Sequence, residues 1–152
     1  MKTVVRLVST FFYAGYVPKI SGTIGSLAGL LFFLSVSYSL PVKIVSLLVL
    51  TAAALLVIRK AEELFGKKDS RRIVIDEAIG VMIALLFIPM KAEFIVPAFV
   101  FFRIFDIAKP FPIKRIEEME SPWGVVLDDV LAGIYANLAV QLIIMLALKR
   151  GV

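Results

Sequence analysis

The sequence predicts an all-α fold, a polytopic membrane helical bundle with about five membrane segments, some of them short or half-spanning. Three observations carry this. Of the 152 residues, 61% are hydrophobic and the mean hydropathy is +0.97, whereas soluble domains are about 45–50% apolar. Charged residues leave uncharged runs at 20–42, 44–58, 78–90, 94–102 and 130–148. Five such runs in one short chain leave little polar sequence to cover them, which weighs against the competing reading, a soluble helical core built on apolar runs of 10–14 residues. The length fits one domain, so 1–152 is expected to be a single integral-membrane unit.

Residues 1–19 place Lys2 and Arg6 ahead of Phe11, Phe12, Tyr13 and Tyr16 and read as an interfacial N-terminal segment. A signal peptide is the alternative, but the apolar part is short and no small-residue cleavage site precedes Pro18. The runs 20–42 and 130–148, of 23 and 19 residues, meet the ~20-residue need of a spanning helix. The run 44–58 becomes long enough if Lys43 and Arg59 extend to the two interfaces. The runs 78–90 and 94–102 are short, with Pro89-Met90-Lys91-Ala92 as the bend of a helical hairpin. With five spans and the N-terminus inside, thirteen cations fall on the cytoplasmic side and four (Lys43, Lys91, Lys149 and Arg150) outside. The positive-inside rule selects that orientation.

The composition also limits the chemistry. With no His and no Cys, a Ser-His triad, a phosphohistidine, a thiolate nucleophile and a His- or Cys-ligated metal are excluded. The net charge of +5 is better matched to anionic phospholipid than to nucleic acid, because its cations gather in loops beside apolar runs. The loop 59–72, with six cations and three acids, reads as a solvated cytoplasmic loop.

The orientation rests on Lys and Arg alone, and the acids then fall on one face. Asp76 and Glu77 stand at the start of the third span, Asp106 near the end of the fourth, and Asp128 and Asp129 at the start of the fifth. Ionisable groups so placed normally face a polar cavity or a partner. Helix capping is the alternative for each acidic pair, and an ion pair with Arg103 or Lys109 for Asp106. Clustered carboxylates without His or Cys suit Mg²⁺ or Ca²⁺. At the entrance to the first span, Ser21-Gly22-Thr23-Ile24-Gly25-Ser26 could offer backbone N–H groups to phosphate, or Gly25 and Gly29 could serve close helix packing. In 102–112, two cations flank Asp106 before Pro110 and Pro112 end the helix, a setting suited to a multiply charged phosphate.

Four blocks resemble the bacterial phosphatidylglycerophosphatase A family: Gly22 to Ser26; Ile75-Asp76-Glu77 through Gly80; Phe102-Arg103-Ile104-Phe105-Asp106-Ile107-Ala108-Lys109-Pro110-Phe111-Pro112-Ile113; and Gly124 through Asp128-Asp129 to Gly133. The resemblance runs roughly from residue 15 to 145. It implies a multi-pass enzyme of the bacterial inner membrane, active at the cytoplasmic face, that uses Mg²⁺ to remove the terminal phosphate of phosphatidylglycerophosphate and leave phosphatidylglycerol. Asp76, Glu77, Asp106, Asp128 and Asp129 fall on the family's acidic positions and are the expected catalytic residues. Glu77, Asp106 and Asp129 are the expected metal ligands, with Asp76 and Asp128 as further candidates. Thr23, Gly25, Ser26, Arg103 and Lys109 are the expected phosphate-binding residues. Ser21 stands where the family often has Pro, and Ser121-Pro122-Trp123 where many members have a Gly-Gly pair. Water attack and an aspartyl-phosphate intermediate both remain open. A small membrane cation carrier or channel subunit is the alternative function, and it would spread its acids across the bilayer.

The cysteine-free background makes the orientation testable. Lys68→Cys should react with an impermeant maleimide only from the cytoplasmic side, and Lys91→Cys only from the other. External labelling at position 68 overturns the orientation.

Overall fold

The computed structural model describes residues 2–36, 39–68, 70–119 and 121–149. In chain order the helices are α1 (Lys2–Ser9), a 3₁₀ turn at Ala14–Tyr16, α2 (Ser21–Ser35), α3 (Leu40–Phe65), α4 (Ile75–Ala84), α5 (Ala92–Ala108), α6 (Ile113–Glu117) and α7 (Pro122–Lys149). No strand occurs among the described residues. α3 carries a proline in its first turn, where a missing N–H breaks no helical bond. It ends at Gly66, whose φ of 66° is a left-handed conformation open to glycine at little cost.

Among the described residues two helices, α3 and α7, are long and apolar enough to cross a membrane. Full-length spans are thus fewer than the about five membrane segments expected, some of them as short or half-spanning. α2 has 15 residues, α4 has 10 and α5 has 17, all short of the ~20 that a span needs. The run 78–90 leaves the helix at Ala84 and turns through 85–91, so half of its apolar residues serve a bend. The bend starts well before Pro89. The run 20–42 stops being helical at Ser35, while 37 and 38 lie outside the described residues, as does Arg150 of the outer cations. α1 lies against α3 with Val5 and Ser9 buried, so the N-terminal segment is docked on the bundle. Lys43 does not reach outward: it is 6% exposed, with its ammonium 4.2 Å from the centre of the Phe33 ring.

α4 is the centre of the bundle. Eight of its ten residues are buried, and α2, α7, α3 and α5 all pack on it. Glycines make the approach possible. A Cβ on Gly29 of α2 would lie 2.6 Å from the Ala78 Cα, and one on Gly133 of α7 would collide with the Gly80 carbonyl. Small residues at such crossings allow helices to pack at backbone distance, where dispersion does the work. The outer faces are the reverse. Leu48, Val49 and Leu56 of α3, Leu31 of α2, Val96 and Ile104 of α5, and Leu138 and Leu148 of α7 are all exposed. An apolar belt of that extent belongs against hydrocarbon or another apolar surface.

A helix that ends inside such a bundle needs partners for its last carbonyls. Asn137 of α7 supplies them: its amide nitrogen donates to the carbonyls of Ile83, Ala84 and Leu86 at 3.2, 3.1 and 2.6 Å. Its own oxygen accepts from Gln141 at 2.6 Å. Asn137→Leu should therefore cost roughly 2 kcal/mol or more, because it strands buried acceptors. Gln141→Leu should cost less. Thermal unfolding in detergent checks both, and an unchanged midpoint for Asn137→Leu would show that these bonds do not hold α4.

Candidate active site

Asp76 and Glu77 lie in the first turn of α4, where the helix dipole favours negative charge. Asp76 Oδ1 accepts from the Glu77 N–H at 3.2 Å, so part of the capping alternative is realised there. Asp128 and Asp129 differ. α7 begins at Pro122, with the Gly124 N–H 3.4 Å from Ser121 Oγ; serine then proline is the usual order at a helix start. The departure at Ser121-Pro122 thus opens α7 early and leaves both acids in its second turn, beyond the reach of end capping.

Three carboxylates meet. One oxygen from each of Asp76, Glu77 and Asp129 lies within 4.8 Å of the others. Glu77 Oε2 and Asp129 Oδ1 are buried with no hydrogen-bond partner. Buried carboxylates this close repel one another, and a bound cation would favour their ionised forms. The donor set is all oxygen and at least doubly negative when ionised, which fits a hard divalent cation such as Mg²⁺ or Ca²⁺.

The other two acids turn to cations. Arg103 Nη1 donates to Asp106 Oδ2 at 2.6 Å, the i,i+3 spacing bringing the pair together on α5. Lys109 Nζ donates to Asp128 Oδ2 at 2.9 Å and pairs with Glu117 at 2.6 Å. Burial alone would lower the Lys109 pKa, but these two carboxylates outweigh it and hold the ammonium above the ordinary lysine value. Asp106, an expected metal ligand with Glu77 and Asp129, pairs with Arg103 and lies near enough for its charge to bear on both of them, while an oxygen of Asp76 joins theirs.

All five acids line one cavity of about 530 Å³, together with Ser21, Gly22, Lys19, Lys68, Arg71, Arg103, Lys109 and Glu117. The N-terminal ends of α2, α4 and α7 and the C-terminal end of α5 converge there. The glycine block enters it differently from expectation. A Cβ on Gly22 would lie 2.7 Å from Glu77 Oε1 and 3.2 Å from Arg103 Nη2, so Gly22 borders the site. Gly25 instead packs on Val74, 2.5 Å from a built Cβ, realising the packing alternative. Thr23 is exposed and lines a separate groove with residues of α5. Ser26 is linked indirectly: its Oγ donates to the Gly22 carbonyl at 2.8 Å and accepts from Arg103 at 3.2 Å. Arg103 Nε is buried without a partner.

Sequence reasoning missed Glu117, Lys19, Lys68 and Arg71 at this cavity, and had Gly22 only as part of the glycine block. Lys68 and Arg71 belong to the stretch read as a solvated loop, and only the turn after α3 brings them over. Lys19 had a local signal, its place between Pro18 and the glycine block, and its φ of 69° is one that non-glycine residues seldom adopt.

A sequence model of the family described as phosphatidylglycerophosphatase A matches residues 7–144. The chain is 39% identical to a phosphatidylglycerophosphatase A of Haemophilus influenzae over 90% of its length and 86% of the relative. It is 33% identical to the phosphatidylglycerophosphatase A of Escherichia coli over 85% of its length and 77% of the relative. A protein of Bacteroides thetaiotaomicron, provisionally named a phosphatidylinositol-3-phosphatase, is 36% identical over 86% of this chain and 87% of its own. No solved structure gives a significant match.

The Lys109 ion pairs give a test of the site's architecture. Lys109→Met leaves Asp128 buried without its cation and should cost about 1–3 kcal/mol, less than a fully buried pair because Glu117 is well exposed. Adding Asp128→Asn should recover much of that loss. Additive effects in the double-mutant cycle would show that the two groups do not interact.

Proposed function

The chain belongs to the phosphatidylglycerophosphatase A family and dephosphorylates phosphatidylglycerophosphate to phosphatidylglycerol, and we propose that it does so in the acidic cavity with a bound Mg²⁺. The observation that carries the proposal is the meeting of Asp76, Glu77 and Asp129 with two unpartnered buried oxygens. These three residues would hold the ion. A divalent cation there supplies positive charge against the phosphate oxygens as negative charge develops on them. Arg103, held by Asp106 and Ser26, offers its free Nε to a phosphate oxygen. Lys109, kept charged by Glu117 and Asp128, adds a second cation. A carboxylate oxygen not engaged by the ion accepts a proton from the attacking water. Water adds to phosphorus, the bond from phosphorus to the glycerol oxygen breaks, and that oxygen takes up a proton, so inorganic phosphate and phosphatidylglycerol leave.

On this reading the protein is a multi-pass protein of the bacterial inner membrane with the cavity at its cytoplasmic face. The cation distribution supports that placement, with α3 and α7 as full spans and α2, α4 and α5 as short or half-spanning segments. The carrier alternative loses its polar path, since Asn137 and Gln141 are engaged with the end of α4. The name of the Bacteroides thetaiotaomicron relative favours a second reading, another lipid phosphomonoester as substrate of the same site.

Phosphate release by the purified protein separates these. Release from phosphatidylglycerophosphate is expected with Mg²⁺ and should vanish with excess chelator. Preferred release from phosphatidylinositol 3-phosphate would support the second reading. Glu77→Gln and Asp129→Asn should each lower kcat by about 10²-fold or more, while the ion-free variants melt no lower than the parent because like-charge repulsion is relieved. Activity that survives complete chelation overturns the metal assignment.

A further inference from the structure

The acidic cavity is not closed on the side of α2 and α5. These two helices barely touch, and along their seam lies a second groove of about 510 Å³. Its walls are Thr23, Phe99, Val100 and Ile104, and it shares Arg103 and Ile107 with the acidic cavity. Val100, Ile104 and Ile107 expose 46%, 49% and 73% of their surface, so the groove opens to the apolar surroundings of the bundle. Arg103 stands at the junction, bridging α5 to Ser26 of α2 at 3.2 Å and keeping a buried unpartnered Nε. A highly charged chamber on one side of this arginine and a nearly wholly apolar trough on the other match a molecule with a phosphate head and a hydrocarbon tail.

We propose that an acyl chain of the lipid substrate leaves the acidic cavity sideways through the α2–α5 groove, with Arg103 marking the boundary between headgroup and chain. This rests on the reading of the protein as a lipid phosphatase. The groove lets the phosphate reach the carboxylates while the tail stays among apolar side chains, so little apolar surface has to enter water during binding. Thr23 and Val100 face each other's helix across this seam and act on substrate fit, outside the charged site.

Val100→Trp and Ile104→Trp would fill the groove. For dihexadecanoyl phosphatidylglycerophosphate each should raise KM by about tenfold, the effect of displacing some two methylenes from an apolar site. Both kcat and KM for the dibutanoyl lipid should stay at parental values, which also shows that the variants fold. Leu56→Trp, on the exposed face of α3, should leave both substrates unaffected. Equal losses on the two lipids, or no change on the long one, overturn the proposal. A second measurement does not depend on turnover: dihexadecanoyl phosphatidic acid carrying a diazirine in one chain should cross-link to Phe99, Val100, Ile104 or Thr23. Adducts spread evenly over the exposed faces of α3 and α7 overturn the groove. Failure of the parent protein to release phosphate from phosphatidylglycerophosphate of either chain length would instead defeat the substrate assignment and leave the cross-link to decide the groove.

Discussion

The rest of the structure depends on the burial of α4 on every side. A ten-residue helix cannot cross a bilayer, and in an apolar interior both of its ends need partners for unpaired backbone groups. The C-terminal end is answered by Asn137. The N-terminal end carries Asp76 and Glu77, whose charges suit the dipole but also demand a polar space. That space is the cavity. The glycine contacts of α2 and α7 follow from the same constraint, because a helix clasped at backbone distance must be met by residues without side chains.

Carboxylates concentrated in this way repel one another, and the surrounding cations are arranged to divide the burden. Arg103 takes Asp106 and Lys109 takes Asp128, while oxygens of Asp76, Glu77 and Asp129 meet between α4 and α7. Two opposing demands are thereby met in one chamber. The ion pairs fix two cations beside the cavity, and the meeting of three carboxylates concentrates negative charge at one point of it.

Much of this was legible in the sequence because charge is conspicuous in an apolar chain. Asp76, Glu77, Asp106, Asp128 and Asp129 interrupt apolar runs, and their helical positions alone put them near one level. What could not be read is governed by distance in the chain. The end of α4 at Ala84 depends on an amide 53 residues away, while the uncharged run itself continues unbroken to Met90. The division of labour in the glycine block is set by helix rotation: Gly22 meets Glu77, Gly25 meets Val74, and Thr23, one residue from Gly22, points to the groove. Lys68 and Arg71 sit in a charge run whose composition is that of any solvated loop, so only the turn after Gly66 distinguishes them.

The charge of the chamber bears on why a cation belongs to the reading. Among its lining residues are six acids and five basic side chains, a formal charge of −1 with all groups ionised. That balance would repel a phosphomonoester, which carries close to two negative charges near neutral pH. One divalent cation among Asp76, Glu77 and Asp129 would turn the balance to +1. On the proposed reading the same ion would relieve the burial of the trio and create the attraction for the headgroup, so binding of ion and lipid phosphate would be mutually reinforcing. A chain without His or Cys has few other ways to assemble a phosphate site in so apolar a setting, and on the proposed reading the acids would both attract the cation and move the proton.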